Sequence, residues 1–122
     1  MNIMENKHTK IDNNKIFIAE KELNLKFSDE YKEYLLNYGV ASYCGHELTG
    51  LCDFQRLNVV NVTLEERNYN SLIPLEWYVV ERANIDGIVI WQNVSGEIYL
   101  SRPYQEAVKI AESLEEYVRG GV

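Results

Sequence analysis

The stretch WYVVERANIDGIVIWQNVSGEIYLS, residues 77–101, contains three strand signals in close succession. Residues 77–81, 88–92 and 97–101 are rich in β-branched and aromatic residues, and Asn, Asp, Gly and Ser punctuate the segments between them. Because these connections are too short for the crossovers that parallel strands require, the spacing predicts an antiparallel meander of three strands. The middle run is apolar at both odd and even positions, which is typical of a strand that is covered on both faces.

Two helices are predicted on the N-terminal side of this meander. The first runs from Asn13 or Asn14 to Leu23, and one of its faces consists of Ile16, Ala19, Glu20 and Leu23. The second begins after Ser28, a good N-cap residue, and ends at Gly39, which suits the C′ position. Its buried stripe has the spacing i, i+3, i+4, i+7 and consists of Tyr31, Tyr34, Leu35 and Tyr38.

The remaining segments complete the expected order of elements. Residues 43–51 predict a short extended segment bounded by glycines, and residues 59–68 predict a helical crossing. Pro103 is placed to open a last helix, whose buried face would consist of Ala107, Ile110, Ala111, Leu114 and Val118. This order predicts an α+β fold: a mostly antiparallel sheet with a C-terminal three-strand meander, flanked by helices. Residues 1–12 are expected to form a flexible leader, and residues 13–122 a single domain.

The charge balance excludes several classes of partner. The chain of 122 residues has 12 Lys and Arg against 19 Asp and Glu, a formal net charge of −7. Nucleic-acid affinity depends on basic clusters, and the basic residues here are outnumbered and scattered, so neither nucleic acid nor a membrane is an expected partner. A basic protein fits better, because complementary charge accelerates encounter. With no signal peptide and no apolar run long enough to cross a bilayer, the chain is expected in the cytoplasm.

Residues 44–53 contain the densest cluster of potentially reactive side chains. On a strand, Cys44 and His46 would point to the same face, which leaves open a thiol enzyme or a zinc module completed by Cys52 and Asp53. The spacing matches no usual structural zinc pattern, so two small buried cysteines beside a half-exposed histidine is the simpler interpretation. Neither a glycine-rich phosphate loop nor a G-x-S-x-G motif is present, so no cofactor and no catalytic residue is predicted.

Several segments, taken in order, resemble the SUKH superfamily, whose eukaryotic branch includes the fungal Smi/Knr cell-wall regulators. Residues 19–25, AEKELNL, are similar to the opening E-x-x-L-G-x-x-L-P helix and turn of that superfamily. Residues 29–39, DEYKEYLLNYG, resemble its P-x-x-Y-K-x-F-L-x-x-N-G-G segment. The usual Leu-Pro is replaced by residues 26–28, KFS, and Val40 stands where the second glycine is expected.

The resemblance continues into the second half of the chain. Residues 46–51, HELTGL, are similar to the strand that ends in I-x-G-L, and residues 59–67, VVNVTLEER, to the V-x-x-T-x-x-x-R helix that precedes a proline. Residues 87–91, GIVIW, and 96–100, GEIYL, fit the central sheet. Each match is degenerate by itself, and the specificity comes from their order and spacing.

This resemblance implies a non-catalytic α+β domain that binds proteins. Most small bacterial members resemble immunity proteins encoded beside polymorphic or contact-dependent toxins, many of which carry nuclease C-terminal domains. The implied function is therefore stoichiometric inhibition of a cognate toxin C-terminal domain, which is expected to be a basic nuclease. A Smi/Knr-like regulatory adaptor is the alternative. The partner-binding residues predicted on this basis are Glu47, Asp53, Glu65 and Glu66, with Tyr43 as an aromatic anchor.

Overall fold

The structure, a computed structural model, describes residues 11–120. Its helices are α1 (Asn13–Leu23), α2 (Asp29–Tyr38), α3 (Val59–Arg67) and α4 (Leu114–Gly120), and a 3₁₀ turn spans Gln55–Leu57. A two-stranded hairpin pairs β1 (Ser42–Tyr43) with β2 (His46–Glu47). A four-stranded antiparallel sheet contains β3 (Tyr78–Arg82), β4 (Val89–Gln92), β5 (Ile98–Ser101) and β6 (Val108–Ala111), in that order. The predicted α+β fold with a C-terminal meander is confirmed.

The interior strand β4 carries apolar side chains to both faces of the sheet, as its sequence predicts. Ile90 belongs to the principal core, which also receives the inward faces of α1, α2 and α4. Val89 and Trp91 point to the other face, where they join Val62 and Val79 in a smaller core. All four residues of β4 are buried, so this strand anchors the sheet between two apolar layers.

The caps of α1, α2 and α3 come from the short polar residues that precede them. Ser28 Oγ accepts a hydrogen bond from the amide of Tyr31 at 3.0 Å, which confirms its predicted role as the N-cap of α2. Asp12 caps α1 through the amide of Lys15, and Asn58 caps α3 through the amides of Val60 and Asn61. The helical crossing predicted for residues 59–68 is confirmed by α3.

The helix predicted from Pro103 onward is wrong, because residues 108–111 form the strand β6. β6 pairs antiparallel with β5, placing Val108 opposite Leu100 and Ala111 opposite Ile98. Without this pairing, one edge of β5 would present a row of unpaired backbone groups. The i, i+3, i+4 spacing of the apolar residues imitates a helix, but the β-branched residues Val108 and Ile110 favour the strand.

The last helix begins only at Leu114, at a site prepared by two side chains. Ser113 Oγ accepts from the amide of Glu116 at 3.0 Å, which is one of the two hydrogen bonds of a capping box. From α2, the carboxylate of Glu30 accepts from the amides of Leu114 at 2.7 Å and Glu115 at 3.0 Å. A negative charge at a helix N-terminus is favourable. Glu30 therefore stabilises the start of α4 and connects it to α2.

Four tyrosines are buried in the principal core: Tyr31, Tyr34, Tyr78 and Tyr117. Their hydroxyl groups are all hydrogen-bonded, at 2.6–2.8 Å, to Thr49, Gln92 or Glu81. Burial raises the pKa of each of these hydroxyls, because the phenolate would lose its hydration.

The predicted leader, residues 1–12, lies for the most part outside the described residues. Its last two residues are described: the side chain of Ile11 is buried, and Asp12 caps α1. The division into a leader and a domain at residue 13 stays a prediction.

Candidate functional site

The cysteine and histidine that suggested thiol or zinc chemistry are separated by the geometry of the β1–β2 hairpin. Cys44 is not on a strand as predicted but in the turn, with φ = 50°, and its side chain is exposed. The backbone reverses direction at Cys44 and Gly45, so a two-residue spacing no longer places two side chains on one face of a strand. The premise of the Cys44–His46 pair is therefore wrong.

His46 makes its contacts with the sheet and the last helix instead. His46 Nδ1 lies 2.8 Å from Glu81 Oε1, and the hydroxyl of Tyr117 donates to the same oxygen at 2.6 Å. The rings of His46 and Tyr117 are 4.8 Å apart. Within residues 11–120, no serine, threonine or cysteine side chain is hydrogen-bonded to His46. The contacts of His46, Glu81 and Tyr117 instead hold β2, β3 and α4 together.

The second cysteine also lacks the environment of a reactive thiol. Cys52 is half-buried, its thiol lies 3.6 Å from the carbonyl oxygen of Phe54, and burial raises its pKa. A raised pKa leaves less of the nucleophilic thiolate near neutral pH. In the part of the chain that the structure describes, no group of three or more His, Cys, Asp and Glu side chains is arranged to hold a metal ion.

Each of the three predicted glutamates is paired with an arginine, and Glu47 is the one of them that lines the small depression beside these arginines. Glu47, at the end of β2, binds Arg56 through two hydrogen bonds of 2.7 and 2.9 Å, and this pairing lowers the pKa of its carboxyl group. On α3, Glu65 and Glu66 both bind Arg82 of β3; the contact from Arg82 Nε to Glu66 Oε2 is 2.9 Å. Arg56, Arg82 and Glu47 line the same cavity of about 120 Å³.

These pairings reduce the negative field that the acidic residues alone would produce. The three carboxylates and the two guanidinium groups leave a formal charge of −1 in this group of ion pairs. The exposed pair of Glu47 and Arg56 contributes little energy by itself. The sequence identified the carboxylates but not Arg56 and Arg82, which come from the 3₁₀ turn and from β3 and meet them only in the folded chain.

The other two predicted residues lie outside this depression. Asp53 lines a groove of about 420 Å³ between α1 and α3, together with the apolar side chains of Ile18 and Leu64. Tyr43, on β1, is half-buried and packs against the principal core. The five predicted residues therefore do not form one continuous acidic face.

The structure contains a cleft that the sequence did not reveal. It lies between residues 66–71, which end α3 and follow it, and the turns that contain Gly87, Pro103 and Tyr104; its volume is about 660 Å³. Tyr69 and Tyr104 on its walls are 77% and 97% exposed. Nothing in the sequence separates these two tyrosines from the buried ones, except that each stands in a polar, turn-forming context, NYNS and RPYQ.

Fold and composition together define a small acidic α+β domain. A family model described as SMI1-KNR4 cell-wall, SUKH_5, matches residues 2–121. The chain therefore belongs to the SUKH family of SMI1-KNR4 proteins, which are generally non-catalytic immunity or regulatory proteins that interact with other proteins. A comparison with curated proteins gave no match. None of the helices within residues 11–120 is long and apolar enough to cross a membrane.

Proposed function

We propose that this protein is an immunity protein that neutralises a cognate toxin C-terminal domain by stoichiometric occlusion, and that this toxin domain is a nuclease. The observation that carries the proposal is the match of the SMI1-KNR4 family model to residues 2–121, nearly the whole chain. An inhibitor of this kind needs a rigid surface that covers the active site of its partner, and it needs no chemistry of its own.

The packing of the domain supports a rigid binding surface. The antiparallel sheet lies between two apolar layers, and hydrogen bonds of buried side chains connect distant parts of the chain, as between Tyr78 and Ser28 or Tyr117 and Glu81. A preorganised surface loses little conformational entropy on binding, which favours tight complexes.

The net charge of −7 supports a basic partner such as a nuclease. A nuclease active site carries positive groups that attract phosphate, so an acidic inhibitor experiences a favourable field while the two proteins approach. This long-range term depends on net charge, so it operates even though Glu47, Glu65 and Glu66 are paired locally with arginines.

The test of immunity is the survival of cells that express the C-terminal domain of the toxin-like protein encoded nearest this gene. We expect co-expression of this protein to restore colony formation, and we expect no rescue from an unrelated toxin. If a toxic neighbour kills despite expression of both proteins, the immunity proposal is wrong and the Smi/Knr-like regulatory adaptor replaces it.

Titration of the purified toxin domain separates occlusion from catalytic inactivation. Toxin activity should fall linearly and reach zero at about one equivalent of this protein, because an occluding inhibitor is consumed by each toxin molecule that it binds. Inactivation of many equivalents would exclude occlusion. Degradation of DNA or RNA by the free toxin, lost in the complex, is the readout for the nuclease part of the proposal.

The charged residues predicted from the sequence can be tested by a pair of substitutions with opposite signs. Glu65→Gln removes one negative charge and should slow association, whereas Arg82→Gln removes one positive charge and should accelerate it. Both effects should shrink as salt is added. Equal association rates of the two variants in stopped flow would contradict electrostatic steering by the charges around Arg82.

A further inference from the structure

The cleft between residues 66–71 and the Pro103–Tyr104 turn has the features of a protein-binding site, and we call it the tyrosine cleft. Tyr104 is 97% exposed and Tyr69 is 77% exposed, although both could bury a large apolar ring. Tyr69, Asn70, Ser71 and Tyr104 also line a second cavity of about 280 Å³, so the two rings stand between adjoining depressions. Exposed tyrosines that flank a depression are typical anchors of protein interfaces.

The walls of the tyrosine cleft are held in place by contacts within the domain. Asn70 Nδ2 donates to the carbonyl oxygen of Glu66 at 2.8 Å and to its carboxylate at 3.1 Å, which fixes the segment after α3. On the opposite wall, Gly87 packs so closely on Pro103 that a Cβ at position 87 would lie 2.8 Å from Pro103 Cγ. The cleft is therefore formed before a partner arrives.

The backbone of Tyr104 indicates that its position is not set by the stability of the fold alone. Its φ angle is 63°, in the left-handed region, which is unfavourable for a residue with a bulky side chain. A glycine or asparagine would satisfy this turn at a lower cost. The ring that this backbone presents is nevertheless almost fully exposed.

The charge distribution around the tyrosine cleft determines the chemistry of the partner. The sequence contains no lysine between Lys32 and Lys109, a stretch that includes both walls of the cleft. Of the arginines in this stretch, Arg56 and Arg82 are engaged by carboxylates, and Arg67 donates to the carbonyl oxygens of Leu23 and Leu75. Arg102 lines only the adjoining smaller cavity. Among residues 11–120, the one charged side chain on the walls of the larger cavity is Glu66. Glu66 shares Arg82 with Glu65, so the three side chains together keep a formal charge of −1 beside the cleft.

We infer that the tyrosine cleft is the docking site for the toxin domain and that it receives an arginine- or lysine-bearing loop of that domain. The rings of Tyr69 and Tyr104 would stack on the basic side chain and its apolar stem, since a cation is attracted to the face of an aromatic ring. The carboxylate of Glu66, the side-chain amide oxygens of Asn68 and Asn70 and the hydroxyl oxygen of Ser71 would accept its hydrogen bonds. This inference rests on the proposed immunity function and names the surface that performs it.

Binding measurements on purified proteins test the inference directly. We expect Tyr104→Ala and Tyr69→Ala each to weaken binding of the neighbouring toxin domain by roughly 10- to 100-fold, mainly through faster dissociation. Tyr104→Phe keeps the ring and should stay within roughly threefold of the wild type, since it removes only the hydroxyl group. The matched control is Phe17→Ala on α1, because Phe17 is also aromatic and is 51% exposed; it should bind as the wild type does.

The outcomes distinguish this inference from the proposed function. If the wild type binds and both tyrosine variants bind equally well, the tyrosine cleft is not the docking site, while the immunity proposal stands. Weakened binding by Leu64→Ala in that case would assign the site to the groove between α1 and α3. If the wild type itself does not bind or protect, both proposals fail together. Thermal unfolding of each variant checks that the fold is retained.

Crosslinking tests the chemistry of the partner loop. A photoreactive benzoylphenylalanine at position 104 should form a covalent adduct with the toxin domain, and mass spectrometry of the digested adduct identifies the attached peptide. A peptide that contains arginine or lysine at the attachment site supports the inference. Attachment to an acidic or uncharged segment would overturn the basic-loop assignment even if Tyr104→Ala weakens binding.

Discussion

The four buried tyrosines predict that the domain unfolds cooperatively in alkaline solution. Tyr31, Tyr34, Tyr78 and Tyr117 have pKa values raised by burial, so they stay protonated in the folded state above pH 10, where they ionise in the unfolded chain. A group whose pKa is higher in the folded state binds protons more tightly there. Its contribution to stability is complete below pH 10 and is lost as the pH rises above that value.

The size of the effect follows from the unfolded pKa. With a pKa of about 10 in the unfolded chain, each tyrosine costs about 1.4 kcal/mol of stability at pH 11, and the four together cost about 6 kcal/mol. Domains of this size are stable by about 5–15 kcal/mol, so the loss is comparable with the whole free energy of unfolding. We therefore expect the transition to begin above pH 10 and to be steep.

Two variants control the alkaline titration. Stability is measured by urea unfolding at several pH values, and ionisation by the tyrosinate absorbance near 295 nm. Tyr104→Phe alters an exposed ring and should leave the transition unchanged. Tyr117→Phe removes one buried ionisable group, so it should reduce the steepness of the stability loss by about a quarter. At pH 8 this variant should be less stable by about 1 kcal/mol, because Glu81 loses a hydrogen bond.

A simple result would refute this reasoning. The sequence contains nine tyrosines, and four of them are buried in the principal core. If all nine titrate in one gradual step near pH 10 while the circular dichroism of the helices persists, the four hydroxyls are not protected by burial. Equal pH dependence of stability in the wild type and Tyr117→Phe would lead to the same conclusion.

Three substitutions, each with a matched control, test the backbone and the cap of α4 by urea unfolding at neutral pH. Tyr104→Gly should raise the free energy of unfolding by about 0.5–1 kcal/mol, because glycine accepts φ = 63° without strain, whereas Val94→Gly in an exposed turn should lower it. Glu30→Ala should lower the free energy of unfolding by about 2–4 kcal/mol, because the amides of Leu114 and Glu115 lose their acceptor. Its control, Glu33→Ala on the exposed side of α2, should lower the free energy of unfolding by less than about 0.5 kcal/mol. Gly50→Ala should lower the free energy of unfolding by about 3 kcal/mol or more, since the new Cβ would lie 2.0 Å from the carbonyl oxygen of Gly39. Its control, Gly45→Ala, has open space around the new Cβ and only an unfavourable φ of 83°, so it should lower the free energy of unfolding by about 1 kcal/mol.

The parts of the fold that the sequence predicts correctly are those in which local and tertiary preferences agree. For α2, the N-cap Ser28, the aromatic stripe and the terminal Gly39 all indicate the same boundaries, and the helix spans Asp29–Tyr38. The strands of the meander are short, β-branched and separated by turn residues, and they lie within one residue of their predicted bounds. A local sequence pattern is reliable where intrinsic propensity, capping or turn residues and tertiary packing all favour the same element.

The missed strand shows where a local pattern fails. Ala107, Ile110, Ala111 and Leu114 have helical spacing, but β6 ends at Ala111 and α4 begins at Leu114, so two elements divide the pattern. A signal for the boundary was present in SLEE, residues 113–116, which has the form of a capping box. The strand β6 forms because the edge of β5 requires a hydrogen-bonding partner, and this requirement arises only in the folded sheet, not in the sequence of residues 103–118.

The candidate site was less predictable than the fold because its chemistry depends on pairing. Acidic residues can be read from the sequence, but whether a carboxylate attracts a partner depends on the cation beside it. Glu65 and Glu66 share Arg82, which is separated from them by about fifteen residues and a change of element. In the same way, the sequence does not distinguish Tyr104, exposed on a left-handed turn, from Tyr78, buried in the sheet.

In the proposed complex, the charged residues and the exposed tyrosines have different roles. Glu47 gains little from a second cation at short range, because Arg56 already neutralises its charge, whereas Glu65 and Glu66 share the single charge of Arg82 and together keep about one negative charge. Net charge acts at long range and therefore governs the rate of encounter, whereas the exposed rings of Tyr69 and Tyr104 act only on contact and govern dissociation. Charge variants around Arg82 should then alter association and its salt dependence, and variants of the tyrosine cleft should alter dissociation. A tyrosine variant whose loss of affinity lies in association and disappears at high salt would contradict this division.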